Sequence, residues 1–203
     1  MHKRPFVLLC TAFVLLATPT LATAQTSTST DTTLTTQATT RTRKNNKAHA
    51  AYYKQLSAMQ KKGMIMQGVP NYCFVDLTGD GVDEMIVQWW PSIYTYRSRK
   101  AVLVHDGEIG SSSYAKLYKA KKVFVHVSPD HMGSSYKSYY KWNGKKFVTV
   151  ATTYTPSTLG KQQGAKAYHW IKGKGKVSKK RVKAYIKKLT KGTKATKPAY
   201  VEY

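Results

Sequence analysis

Apolar residues at helical spacing first appear between residues 45 and 62. Four of them are separated by four, four and three positions, so their side chains share one face of an α-helix. These residues are Ala48, Tyr52, Leu56 and Met59. Gly63 follows the pattern and is a common helix stop. We therefore predict an N-terminal helix that buries this face against the rest of the domain.

A second helical pattern begins after Ser178, a residue type that caps the N-termini of helices. Its apolar stripe consists of Val182, Tyr185, Ile186 and Leu189. The first turn carries Lys179, Lys180 and Arg181, whose positive charges oppose the helix macrodipole. The pattern predicts a basic amphipathic helix near the C-terminus.

Between these helices the apolar residues alternate with a period of two, which is typical of β-strands. Eight segments show this alternation: residues 72–77, 84–90, 93–97, 101–105, 122–127, 135–142, 146–153 and 167–171. The dipeptides Asp106-Gly107 and Asn143-Gly144 favour two-residue hairpin turns, which join antiparallel neighbours. We therefore predict an α+β fold, in which an antiparallel meander sheet is combined with an N-terminal helix and a C-terminal basic amphipathic helix.

The first 43 residues have the pattern of an export signal followed by a linker, and we do not expect them to be part of the folded domain. A basic start and an apolar run precede Ala22-Thr23-Ala24, so residues 1–24 have the pattern of a cleavable signal peptide. Residues 25–43 contain ten threonines and few apolar residues, which predicts a disordered linker. Residues 44–203 are then a single basic domain, which we expect to be secreted and associated with the cell wall through its charge.

Charge is the most unusual property of the chain. It has 34 Lys and Arg against 9 Asp and Glu, a formal net charge of +25. After Gly160 there are fourteen basic residues and one acid, Glu202. Most of the basic residues are lysines, which favour long-range attraction to a polyanion over recognition of a planar group. The predicted anion-binding residues are Lys179, Lys180, Arg181, Lys187 and Lys194.

The predicted partners are the polyanions found outside cells, namely anionic cell-wall polymers and acidic glycans. Extracellular nucleic acid is an alternative, because lysines and tyrosines are interleaved in the segment 136–141 and tyrosines stack on bases. A lysine-rich surface that only keeps the protein in solution also explains the charge. The leading interpretation is a secreted or cell-surface-associated binding module without catalytic activity.

One loop has the spacing of metal ligands. Residues 76–84 carry oxygen-bearing groups at alternate positions and a glycine at the sixth, as a short calcium loop requires. The predicted calcium ligands are Asp76, Thr78, Asp80, the carbonyl of Val82, and Glu84. Position twelve is Val87 and both flanks read as strands, which excludes an EF-hand. No Lys or Arg that would compete with a cation occurs between Gly63 and Tyr96, although an Asp-Gly turn packed without metal has the same spacing.

These residues resemble a known family of calcium loops. Asp76, Gly79-Asp80-Gly81 and Glu84 are similar to the D-x-D-x-D-G-x-x-D loops of integrin-like and VCBS-type repeats, and more closely to single-copy D-x-x-G-D-G-x-x-E domains in secreted proteins of Gram-positive bacteria. The resemblance implies a structural loop between two antiparallel strands, with no assigned activity. Thr78 stands where these loops have an acid or an amide, and Glu84 where the repeats have aspartate, so the site is predicted to bind calcium weakly.

No catalytic motif is evident in the sequence. Cys73 lies in an apolar run, which indicates a buried thiol rather than a nucleophile. Asp130-His131 offers a general base with no nucleophile motif beside it, and Trp89-Trp90 offers one outward ring for stacking on a sugar. A secreted hydrolase with an unrecognised site is therefore the alternative to the binding module.

Overall fold

The computed structural model describes residues 30–65, 68–69, 71–88, 92–107, 114–129 and 133–203. The predicted signal peptide, Trp89-Trp90 and Asp130-His131 lie outside these residues. Helices and antiparallel sheets are combined in the part that is described, which confirms the α+β class. None of the described helices contains an apolar stretch long enough to cross a lipid bilayer.

Three α-helices and ten β-strands make up the described chain. The helices are α1 (Thr30–Lys61), α2 (Thr158–Gln162) and α3 (Lys179–Thr190). The strands are β1 (Tyr72–Val75), β2 (Glu84–Val87), β3 (Ile93–Arg97), β4 (Lys100–His105), β5 (Tyr114–Tyr118), β6 (Val123–Pro129), β7 (Ser135–Trp142), β8 (Phe147–Thr155), β9 (Tyr168–Ile171) and β10 (Gly175–Lys176). Strands β1 to β4 form sheet A and strands β5 to β10 form sheet B, each in sequence order. The sequence predicts one sheet, whereas the structure has two, because β4 and β5 do not pair.

The layers stack in the order α1, sheet A, sheet B, α3. The apolar face of α1 packs on one face of sheet A, where Tyr72, Met85, Val87 and Tyr94 are buried. The other face of sheet A meets sheet B in a cluster that includes Ile86, Ile93 and Phe124. Val182 of α3 is 1% exposed and packs on the far face of sheet B. Because side chains alternate along a strand, both faces of each sheet contribute to a core.

Helix α1 begins at Thr30 rather than near residue 45 and so includes most of the segment predicted as a disordered linker. Thr42 donates a hydrogen bond from its Oγ1 to the carbonyl of Ala38 at 3.0 Å, which keeps the hydroxyl satisfied within the helix. A helix that packing has already nucleated gains one backbone hydrogen bond per added residue without a second nucleation cost. Residues 30–43 are thus part of α1, and the domain boundary predicted at residue 44 stays a prediction.

The two predicted hairpins have different outcomes. Strands β7 and β8 pair on either side of Asn143-Gly144, and Asn143 Oδ1 accepts hydrogen bonds from the amides of Lys145 and Lys146 at 2.9 and 2.8 Å. The described strands on either side of Asp106-Gly107 lie in different sheets, and residues 108–113 that would follow the turn are outside the described residues, so the hairpin predicted there stays a prediction. Strands β3 and β4 turn through Ser98-Arg99, whose φ angles of 51° and 62° are uncommon for residues other than glycine.

The chain after α3 returns across both sheets. Thr196 forms a β-bridge with Leu117 of β5, and Val201 forms one with Tyr72 of β1. Glu202, the single acid of the C-terminal region, is thereby placed beside sheet A, whereas α3 packs on the far face of sheet B. The basic helix and this acid therefore lie in different layers.

Candidate functional site

The predicted calcium loop joins β1 to β2 and is folded by its own hydrogen bonds. The Asp76 carboxylate accepts hydrogen bonds from the amides of Gly79 at 2.7 Å and Gly81 at 3.1 Å. Asp80 Oδ1 accepts one from the amide of Val82 at 2.9 Å. The two glycines have φ angles of 71° and 83°, which glycine adopts without strain. Two of the predicted ligands therefore hold the loop backbone in place.

Glu84 points toward the space between the sheets. It shares a face of β2 with Ile86, which belongs to the cluster between sheet A and sheet B, and it is 0% exposed. Its Oε2 accepts hydrogen bonds from the amides of Leu77 and Thr78, both at 2.9 Å. Its Oε1 accepts hydrogen bonds from the hydroxyls of Thr78 at 3.3 Å and Thr95 at 3.1 Å. Four donors on one buried carboxylate fasten the loop to sheet A.

Burial raises the pKa of Glu84 to about 7. The hydrogen bonds from Thr78, Leu77 and Thr95 favour the ionised form and oppose this rise, while the negative charge of Asp80 adds to it. Desolvation has the largest effect, so the carboxyl group changes its charge near neutral pH. Glu84 is therefore a structural carboxyl group whose protonation is coupled to folding.

Groups from α1 reach the loop from outside. Arg41 Nη2 lies 3.4 Å from Asp76 Oδ2. His49 Nε2 lies 3.0 Å from Asp83 Oδ2, and Asn45 Oδ1 accepts a hydrogen bond from the Asp83 amide at 2.9 Å. The loop lies in the part of the sequence that lacks Lys and Arg, but in the folded protein the guanidinium group of Arg41 contacts its Asp76 carboxylate.

The side chains of the predicted calcium ligands also bond to other groups of the described structure. The Thr78 hydroxyl donates to the Glu84 carboxylate, and Asp76 is shared between loop amides and Arg41. Within the described ranges, no three His, Cys, Asp or Glu side chains converge as metal ligands would. Calcium binding stays a prediction that a melting experiment decides.

Four of the five predicted anion-binding residues lie on α3. The first turn of the helix carries Lys179, Lys180 and Arg181, and its last turn carries Lys187. Lys194 lies beyond the helix, in the segment that returns toward β5. All five side chains are exposed.

All fourteen basic residues after Gly160 are exposed. Among the residues that the structure describes, Arg41 pairs with Asp76 and His49 with Asp83, and none of the fourteen forms an ion pair. The positive charge on and around α3 is therefore not neutralised by carboxylates of the described chain.

A groove of about 340 Å³ lies between α3 and sheet B. The helix contributes Lys179, Lys183 and Lys187 to it, and β7 contributes Lys137. The predicted residues Lys180, Arg181 and Lys194 do not line the groove. Sequence reasoning missed Lys183, although its spacing of four from both Lys179 and Lys187 places the three on one helix face. Nothing in the local sequence connected Lys137 with them.

The tyrosine–lysine segment 136–141 does not form one surface. Tyr139 is 9% exposed and belongs to the cluster beneath α3. Tyr140 packs against the cluster between the sheets. Tyr136 is 49% exposed and stacks on Tyr154, with the ring centroids 4.4 Å apart. Tyr136 and Tyr140 share one face of β7 and Tyr139 lies on the other, and Tyr136 is the only largely exposed ring of these three tyrosines.

Two buried side chains with titratable groups, Cys73 and His105, are parts of the core. Cys73 is buried, and burial raises the pKa of its thiol to about 12, so it is not a thiolate at neutral pH. The ring of His105 contacts those of Phe124 and Tyr140, with centroids 4.7 and 4.3 Å away. Burial lowers the pKa of His105 to about 4, so its imidazole is neutral at physiological pH.

Comparisons of the chain with models of protein families, with curated proteins and with solved structures found no significant match. The likeness of residues 76–84 to calcium loops of secreted proteins is thus limited to the motif itself. The assignment of a function depends on the geometry of the loop and of the groove beneath α3.

Proposed function

We propose that the mature protein is a secreted or cell-surface-associated binding module without catalytic activity. Its ligands are anionic cell-wall polymers or acidic glycans, which bind to the face formed by α3 and sheet B. One observation carries this proposal: fourteen basic side chains after Gly160 are exposed, and none is paired with a carboxylate of the described chain. Such a surface attracts a polyanion over long distances.

The placement of charge along α3 also favours a polyanionic partner. Lys179, Lys183 and Lys187 follow one another at intervals of four residues, a spacing at which like charges destabilise a helix by about 0.2–0.5 kcal/mol per pair. Lys180 and Arg181 stand with Lys179 in the first turn, where the macrodipole disfavours cations. A bound polyanion relieves both repulsions, so it should also raise the melting temperature of the domain.

Retention on immobilised heparin or purified wall polymer tests the proposal. Exposed charges are screened beyond about 10 Å at 0.1 M salt, so retention should weaken steeply as salt rises. The triple variant Lys179→Glu, Lys187→Glu and Lys194→Glu should elute at a much lower salt concentration than wild type. Retention that neither salt nor these substitutions change would mean that the lysines only keep the protein in solution.

A matched control separates the position of the charges from their number. Lys54, Lys61 and Lys100 are exposed on α1 and β4, in the layers around sheet A, and their reversal changes the net charge by the same amount. This control should elute close to wild type, whereas equal losses in both triple variants would rule out a binding face at α3. Preferential displacement of the polymer by a single-stranded oligonucleotide would favour the nucleic-acid alternative.

A further inference from the structure

The groove beneath α3 has polar groups on both sides. Residues of three neighbouring strands form its floor, because Lys137 of β7 pairs with Thr153 of β8, which in turn pairs with His169 of β9. Paired residues on adjacent strands point to the same face of a sheet, so these three side chains stand in a row. The row faces Lys183 and Lys187 of α3 across the groove.

His169 is the buried polar group of this floor. His169 is 8% exposed, and its Nδ1 atom is buried without a hydrogen-bond partner in the described structure. A buried ring nitrogen that lacks a partner is unfavourable, and such groups in folded proteins commonly bind water or a ligand. His169 lines the groove, so a ring N–H that turns toward the cavity can donate to an oxygen atom bound there.

The remaining lining limits which ligand fits. Among the residues that the structure describes, no carboxylate lines the groove, and its four lysines approach from the helix and from the sheet. Val182, Ile186 and Tyr139 add apolar surface that a carbon skeleton can contact. A volume of about 340 Å³ accommodates one small unit of a polymer, at the lower end of ligand pockets.

We propose that this groove binds one polyol phosphate unit of an anionic polymer, with the phosphate between the α3 lysines and Lys137 and one of its oxygens accepting a hydrogen bond from His169. A phosphate group has oxygens on several sides and can meet donors from both walls at once, whereas a carboxylate presents two oxygens in one plane. This inference rests on the proposed function and names the class of polymer that binds to the face formed by α3 and sheet B.

Titration with glycerol 3-phosphate tests the groove directly, by calorimetry and by NMR of the histidine ring at low salt. We expect saturable binding of one ligand per protein and a shift of the His169 ring resonances. Glycerol, which lacks the charge, should not bind. Absence of saturable binding in wild-type protein overturns the proposal, even if retention on the polymer persists, and in that case the proposed function stands without the groove.

Paired variants of α3 show where the ligand binds. Lys183→Gln with Lys187→Gln removes two charges that line the groove, and Lys188→Gln with Lys191→Gln removes two exposed charges at the end of the same helix that do not. The first pair should weaken binding of glycerol 3-phosphate by about tenfold or more, and the second by less than about twofold. Equal weakening by both pairs would overturn the proposal. If a short oligonucleotide or a uronic acid binds to the same groove more tightly than glycerol 3-phosphate does, the assignment to polyol phosphate is overturned.

Discussion

Replacing Glu84 by glutamine removes a titrating group from the space between the sheets while keeping its shape. The folded-state pKa of about 7 lies above the ordinary value of 4.5, so the folded protein binds more protons than the unfolded chain between these pH values. The free energy of unfolding of the wild type therefore falls as pH rises through this window, by about 3 kcal/mol in total. Glutamine can accept hydrogen bonds from the Leu77 and Thr78 amides and donate to both threonine hydroxyls, so Glu84→Gln should lack this slope.

His105 gives the opposite slope and has to be separated from Glu84. Its folded-state pKa is lowered from 6.5 to about 4, so the unfolded chain binds more protons between these values and the free energy of unfolding rises with pH there. The two effects partly cancel in the wild-type profile. The difference between wild type and Glu84→Gln isolates Glu84, because His105 is present in both proteins.

Guanidinium unfolding followed by tryptophan fluorescence, repeated from about pH 5 to about pH 8, measures this difference. The two proteins should be similarly stable near pH 5, and Glu84→Gln should be more stable by about 3 kcal/mol near pH 8, or roughly 6–12 °C in melting temperature. A difference that does not change with pH would refute the reasoning, because Glu84 would then titrate at its ordinary pKa. Glu84→Ala is the control, and it should be less stable at every pH because each amide left without an acceptor costs about 1–3 kcal/mol.

Three further outcomes can be measured. Millimolar calcium should raise the melting temperature by a few degrees, magnesium should do much less and Asp80→Ala should abolish the rise, whereas a melt that stays unmoved up to about 10 mM calcium would show that the loop is a turn without metal. The intact mass of the exported protein should correspond to a chain that begins at Gln25, and a product that retains residues 1–24 would contradict the signal peptide. Val182→Ala should destabilise the domain by about 2 kcal/mol, because Val182 is 1% exposed, and an effect near zero would show that α3 is not docked on sheet B.

The sequence by itself determined features that depend on residues a few positions apart. The spacing of Ala48, Tyr52, Leu56 and Met59 specifies a helical face, and all four side chains are at most 2% exposed. Alternation along the strands and the Asn143-Gly144 turn likewise depend on local geometry. Together they were sufficient to predict an α+β domain, and the α3 lysines could be recognised as a basic surface.

Only the tertiary structure decided which distant segments meet. Alternation requires Glu84 and Ile86 to share a face, but packing of the two sheets decides that this face is buried. Arg41 contacts Asp76 although the two residues are 35 positions apart in the sequence. His169 lines the same groove as the α3 lysines because α3 packs on the sheet that contains β9. Such contacts follow from the burial of large apolar surfaces, which local sequence patterns do not encode, because the free energy of burial depends on the whole arrangement of layers.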